Sequence, residues 1–238
     1  MTAAQTSLPR EDVPDFQSFG IRAFTTTRAA GTFGLAGPDA VGEVMSRWTE
    51  LQTELAENAR RVVIGRQVHG TRVLAHSGGW EGFLRTGEAD GHIAMEKGIA
   101  LTVSIADCVP IFMAHPSGAV AILHSGWRGT ASRIIDSGLA EFARRKIAPD
   151  ELHVHLGPAI CGRCYEVSAD VRAQLTGETA NRAGNVDLRS LIAEHTHDAG
   201  VQHVTVSPYC TKCDNERFFS HRAGDTGRQL GVIVASLW

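Results

Sequence analysis

No stretch of the chain reaches the roughly 18 apolar residues that a membrane-spanning helix needs. Neither sign of charge predominates: 23 Lys and Arg face 26 Asp and Glu, a formal net charge of -3, so nothing suggests nucleic acid or an anionic membrane as a partner. A disulfide framework is also missing, because the cysteines are odd in number (108, 161, 164, 210 and 213) in a chain that reads as intracellular. Repeats, low-complexity tracts and a linker are absent, which favours one domain over two, expected from 19 to 238 behind a flexible leader of residues 1–18. That leader is polar and acidic through Met1 to Pro14, unlike a signal peptide, so a cytoplasmic protein is expected, as a monomer or small homo-oligomer.

What the chain does have is apolar content of 43%, enough for one sizeable core, arranged in interleaved short runs. Strands are expected over Phe19 to Thr27, Arg61 to Val68, Thr71 to Ala75, Ile99 to Ile105, Ala119 to Leu123, Leu152 to Leu156, His203 to Ser207 and Gln229 to Leu237. Spacings of three and four predict helices over Asp39 to Glu57, Thr130 to Lys146, Val167 to Leu175 and Leu188 to Ala199. Without strict β-α-β alternation, this order predicts an α+β, layered mixed fold.

The chemistry gathers at strand ends. Cys108 follows the run Ile99 to Ile105 and His124 closes Ala119 to Leu123, so a hairpin-like pairing of these two runs would bring thiol and imidazole together. His69 sits at a break between two further strands, read as joined there by a tight turn or bulge. Two imidazoles and one thiolate with a fourth position open is the pattern of catalytic zinc, although spacing alone does not establish that the three converge.

Seven motifs occur in fixed order: Gln67-Val68-His69-Gly70, Glu88-Ala89-Asp90-Gly91, Ala106-Asp107-Cys108-Val109-Pro110, His124-Ser125-Gly126-Trp127-Arg128-Gly129, Gly157-Pro158-Ala159-Ile160, Cys164-Tyr165-Glu166-Val167 and Phe218-Phe219-Ser220-His221-Arg222. Together they resemble the YfiH-like, laccase-domain family of purine nucleoside phosphorylases over about Phe19 to Trp238. The resemblance implies a single-domain α/β/β/α fold, shared with cytotoxic necrotizing factor-type cysteine deamidases, and zinc held by His69, Cys108 and His124. It also implies phosphorolysis of adenosine, inosine and related nucleosides, S-methyl-5'-thioadenosine among them.

For that reaction Arg222 is the leading phosphate ligand, with Arg28 and Arg128 next, because a guanidinium fork grips phosphate oxygens in pairs. Zinc could also lower the pKa of a bound water towards roughly 7 and deaminate adenosine, but the His-x-Glu…Pro-Cys-x-x-Cys signature of zinc deaminases is missing. Asp107 or Glu166 would then carry the proton. His221 stands where the family usually has tyrosine; it reads equally as an added proton donor or a tolerated exchange. The stretch Thr27-Arg28-Ala29-Ala30-Gly31-Thr32-Phe33 replaces the family's Thr-Arg-Gly-Gly-Val-Ser and the long loop after it with a shorter connection.

Other readings stay open. Without metal, Cys108 as nucleophile and His124 as base would make a hydrolase or amidase, acting for instance on cell-wall precursors. A zinc-binding module without catalysis is a third reading. Copper chemistry ranks low because a laccase needs a larger ligand set. Cys161-x-x-Cys164 and Cys210-x-x-Cys213 spell a Cys₄ zinc site, but 45 residues separate the pairs, so free thiols are expected. His76, His92, His115, His153, His155, His195, His197 and His203 read as solvent-facing. Trp127 reads as packing or as a purine stacker, and Asp90 as a turn residue supporting the ligands.

Overall fold

A computed structural model describes residues 7–237. In chain order the strands are β1 (Arg10–Asp12), β2 (Ile21–Thr26), β3 (Arg61–Arg66), β4 (Val73–His76), β5 (Gly82–Glu88), β6 (Gly91–Ala94), β7 (Ile99–Ile105), β8 (Val109–Ala114), β9 (Val120–Ser125), β10 (His153–Leu156), β11 (Glu166–Val167), β12 (Gly184–Asn185), β13 (His203–Val206) and β14 (Gln229–Ala235). The α-helices are α1 (Val41–Glu54), α2 (Trp127–Ala131), α3 (Ile134–Ala143), α4 (Ala169–Thr176) and α5 (Leu188–Asp198). Two six-stranded mixed sheets result, ordered β1-β2-β14-β7-β3-β5 and β13-β10-β8-β9-β6-β4.

Side chains alternate between the faces of a strand, and here both faces are covered. In β14, Val232 and Val234 pack with Trp48 and Leu51 of α1, while Ile233 and Ala235 turn to the other sheet. In β8, Phe112 and Ala114 meet that inter-sheet layer, while Ile111 and Met113 pack with Leu139 and Phe142 of α3 and Ile192 of α5. Three apolar layers thus separate helix, sheet, sheet and helices, the expected α/β/β/α order. Burial on both faces is also why these strands read as continuous apolar runs rather than alternating ones.

Three expectations about elements need correction. The run 99–105 does not pair with 119–123: β7 lies in the first sheet, and the partner of β9 is β8, which the sequence reading passed over because Pro110 interrupts it. β3 and β4 likewise belong to different sheets. The expected helix 130–146 is broken, because Thr130 Oγ1 bonds Gly126 O (3.0 Å), closing α2 as a short turn, and Arg133 reverses the chain at φ 54° before α3.

The expected flexible leader is structured where it is described. Arg10–Asp12 pairs with β2, and Val13 and Phe16 are buried; residues 1–6 lie outside the described residues. The eight histidines read as solvent-facing also divide: His92 is fully buried, His197 and His203 are exposed, and the others are half-buried. His92 is enclosed because β6 has strands on both sides. Among the described residues no helix is long and apolar enough to cross a membrane.

Candidate active site and metal centre

The β8–β9 register pairs Val109 with Ser125 and Pro110 with His124, which sets Cys108, one residue before β8, beside the end of β9. β6 runs along the other side of β9, with Gly91 opposite Leu123, and Asp90 just before β6 accepts the His124 N–H at its carbonyl (2.7 Å). β4 pairs in parallel with β6, Val73 opposite Gly91, so the loop carrying His69 passes over Asp90. The donor atoms of His69, Cys108 and His124 all lie within 4.8 Å of one another. The imidazoles meet edge to face, with centroids 4.8 Å apart.

Asp90, read from sequence as a turn residue, organises this cluster. It is fully buried, and its Oδ1 accepts the His69 N–H (2.9 Å) and lies 2.9 Å from His124 Nδ1, while Oδ2 accepts the N–H groups of Val68 (3.1 Å) and Gly70 (2.8 Å). Burial pushes this carboxyl's pKa up, but the His124 bond and the loop amides outweigh it, and the pKa is lowered. With Nδ1 tied to Asp90, His124 is left with Nε2 for Cys108, the orientation a metal ligand needs. Two of the loop residues are strained to reach these positions: His69 has φ 60° and Asp107 φ 84°.

Burial also raises the Cys108 thiol, but the charge and hydrogen bond of His124, and those of His69, bring it down to about 6. For His124, burial lowers the pKa, while the Cys108 thiolate and Asp90 raise it to about 9. The pair therefore favours the Cys108 thiolate, the form that binds metal, with a protonated His124 whose Nε2 proton a bound metal would displace. Gly126 leaves room beside the cluster: a Cβ there would lie 3.0 Å from Cys108 Sγ and 3.0 Å from His69 Cδ2. Two nitrogens and a sulfur, gathered without a side chain between them and with His124 oriented from behind, fit zinc with a position left for substrate.

The cluster lines a cavity of about 540 Å³, within the range of small-molecule sites. Its lining includes Arg128, Arg222, Arg228 and His221, against one carboxylate, Asp107. Asp107 is already engaged at both oxygens, accepting from Thr211 Oγ1 (2.7 Å) and the Arg222 N–H (2.7 Å). Arg222 lies over the Tyr165 ring (4.7 Å) and donates to the Glu166 carbonyl (2.9 Å); Arg128 lies over Trp127 (4.4 Å), which is half-buried against the helical layer.

Arg28 lies outside this lining. It donates to the Asn215 carbonyl (2.8 Å), pairs with Asp225 (2.6 Å) and covers the Phe219 ring (4.5 Å), so it braces the loop that precedes β14. Sequence reading missed Arg228, Gln67, Ser104 and Tyr165 as lining residues. Gln67 and Tyr165 stand inside the quoted motifs, a signal that was present; Ser104 and Arg228 are placed by β7 and β14 and carry no local signature. The two Cys-x-x-Cys pairs converge on each other, outside this cavity.

Residues 24–236 match the family model described as "Multi-copper polyphenol oxidoreductase laccase". A purine nucleoside phosphorylase of Deinococcus radiodurans is 34% identical, covering 87% of each chain, and one of Mycobacterium tuberculosis is 34% identical over 98% of this chain and 99% of its own. Among solved structures, YlmD from Geobacillus stearothermophilus superposes with a TM-score of 0.87 at 30% identity, covering 96% of this chain and 97% of its own. The YfiH protein of Bacillus licheniformis shares the fold, with a TM-score of 0.85 at 24% identity over 96% and 97%. Layered fold, ordered motifs and matching relatives agree: the chain belongs to the YfiH-like family described as multi-copper polyphenol oxidoreductase laccase.

Proposed function

We propose that the chain is a zinc-dependent purine nucleoside phosphorylase acting on adenosine, inosine and related nucleosides, S-methyl-5'-thioadenosine among them. One observation carries this reading: an open nitrogen and sulfur donor set in the lining of a cavity that three arginines also line. Relatives named purine nucleoside phosphorylase support it.

His69, Cys108 and His124 would hold the metal, which supplies a Lewis acid on the purine or ribose side. Phosphorolysis joins a phosphate oxygen to the anomeric carbon as the N-glycosidic bond breaks, and the purine leaves with the bonding pair. Arg222, Arg128 and Arg228 bind and orient the phosphate by charge-assisted hydrogen bonds. His221, in the cavity lining, would give a proton to a nitrogen of the leaving purine. Asp107 does not move a proton in this scheme; it holds the Arg222 backbone in place. Deamination would need a carboxylate free to carry a proton, and with both Asp107 oxygens engaged and Glu166 outside the cavity lining we assign phosphorolysis alone.

Pure protein incubated with inosine is expected to release hypoxanthine and ribose 1-phosphate only when phosphate is present. Phosphate-independent product, or none from any of the three nucleosides, would sink the proposal. Arg222→Ala is expected to raise the KM for phosphate about tenfold or more, the scale of one charged hydrogen bond; an unchanged phosphate dependence removes Arg222 from this role.

A second reading rests on the Cys108 thiol at about 6 beside His124 at about 9, which in metal-free protein is a thiolate-imidazolium pair. It would make the chain a cysteine hydrolase. Amide hydrolysis by metal-free protein, abolished by thiol alkylation, distinguishes it from phosphorolysis.

A further inference from the structure

We propose that Cys161, Cys164, Cys210 and Cys213 bind a second, structural zinc ion that clamps the loop after β10 to the loop after β13. The four sulfurs all lie within 4.8 Å of one another, the closest named pair being Cys164 and Cys213 at 3.4 Å. A tetrahedral zinc with Zn–S of about 2.3 Å spaces its sulfurs by about 3.8 Å, inside that range. The backbone is already turned for it. Cys161 N–H (3.2 Å) and Cys213 N–H (3.4 Å) both donate to Cys210 Sγ, and the first pair closes as a turn, Cys164 N–H to Cys161 O (2.9 Å). Amides aimed at sulfur favour the thiolate that a metal requires.

The gap of 45 residues that argues against a ribbon-type site in sequence is closed by the fold. β10 and β13 are parallel neighbours, and Ala159 bridges to Cys210 beyond their ends, with Thr211 N–H donating to Ala159 O (3.2 Å). The four cysteines are free thiols, and Cys164 Sγ and Cys213 Sγ at 3.4 Å stand beyond disulfide-bond length. Four protein donors leave no position for a reactant, so the ion is structural, and each cysteine gives up its thiol proton to solvent on binding. The clamp reaches the cavity by two short routes. Thr211, next to Cys210, bonds Asp107, which holds the Arg222 N–H; Tyr165, next to Cys164, carries the Arg222 guanidinium on its ring.

Metal analysis of untagged protein is expected to find two zinc per chain, falling to one in Cys213→Ser and to one in Cys108→Ser. Cobalt(II) loaded into Cys108→Ser should give an intense thiolate-to-cobalt charge-transfer band, which a further Cys213→Ser change removes. If Cys213→Ser does not fold, Cys108→Ser still decides, because all four cysteines of the cluster remain. A Cys108→Ser protein that retains no zinc overturns the proposal, as does a zinc content unchanged by Cys213→Ser. Two or four thiols fewer than five on titration of anaerobically purified, chelated protein would assign the cluster to disulfides and overturn it as well.

Discussion

His69, Cys108 and His124 offer two nitrogens and one sulfur in the lining of an open cavity, whereas Cys161, Cys164, Cys210 and Cys213 offer four sulfurs gathered between two loops. The first group depends on its surroundings. Buried Asp90 bonds the His124 ring and the amides of the loop that carries His69, so one carboxylate places two of the three donor residues. The second group is held by short Cys-x-x-Cys turns: the Cys161 and Cys213 amides point at Cys210 Sγ, and the Asp214 carboxylate accepts the Cys210 N–H (2.9 Å) without touching a ligand side chain. An open site needs a protein scaffold to stay in shape, while a closed thiolate site becomes the scaffold for the loops around it.

Exchanging one ligand in each site should separate the two most strongly. Cys108→Ser is expected to lower kcat/KM by about 10³-fold or more, since a Lewis acid contributes several kcal/mol to the transition state. Cys213→Ser should act first on the fold, lowering Tm by about 5–10 °C, the shift that about 2–3 kcal/mol produces in a chain of this size. Equal losses of activity without a Tm change in Cys213→Ser would erase the distinction.

The dependence on scaffold is probed by Asp90→Asn. An amide can accept on one side only, so its NH₂ must face either the Val68 and Gly70 N–H groups or His69 N–H and His124 Nδ1. A loss of about 10- to 100-fold in metal affinity or activity is expected, with the Cys₄ zinc retained. Metal titration of the variant against wild type checks this, and an unchanged open site would show that Asp90 is incidental.

Acid should act on the fold as a whole rather than on one site. Burial, aided by the charge of His76, lowers the His92 pKa to about 3, and burial lowers His155 to about 4. In the unfolded chain both titrate near 6.5. Their contribution is therefore complete above pH 6.5 and is lost as pH falls towards 4 and 3, because the unfolded state takes up protons that the folded state refuses. Each costs up to about 1.4 kcal/mol per pH unit in that window. His92 lies on β6 two residues from Asp90, so acid should loosen the open site's scaffold. Denaturation curves between pH 7 and 4 should lose part of their slope in His92→Leu; an identical slope would remove His92 as the cause.

Much of this was legible because short motifs sit at strand ends, where local sequence and function coincide. Gln67 to Gly70, Asp107-Cys108 and His124 to Gly129 could be picked out without knowing their partners. Burial of Asp90 could not, since Asp-Gly spells a turn and only the parallel β4–β6 pairing stacks three amides over its carboxylate. Ser104 in β7 and Arg228 just before β14 lacked any signature, because a single residue in or beside a strand acquires a role from its neighbours across the sheet. Arg28 had the right chemistry and is engaged elsewhere, by Asp225 and the Phe219 ring.

Taken by itself, the sequence determined a layered mixed fold, through interleaved apolar runs and helical spacings, and it singled out His69, Cys108 and His124, whose donor atoms lie within 4.8 Å of one another. Tertiary structure decided which strands are neighbours. β8, not β7, pairs with β9 and sets Cys108 against His124, and the parallel contact of β10 with β13 turns two distant cysteine pairs into one cluster. The physical reason is that strand pairing is non-local: the hydrogen bonds that select a partner strand are the same backbone groups in every candidate, so register is chosen by packing across the whole sandwich.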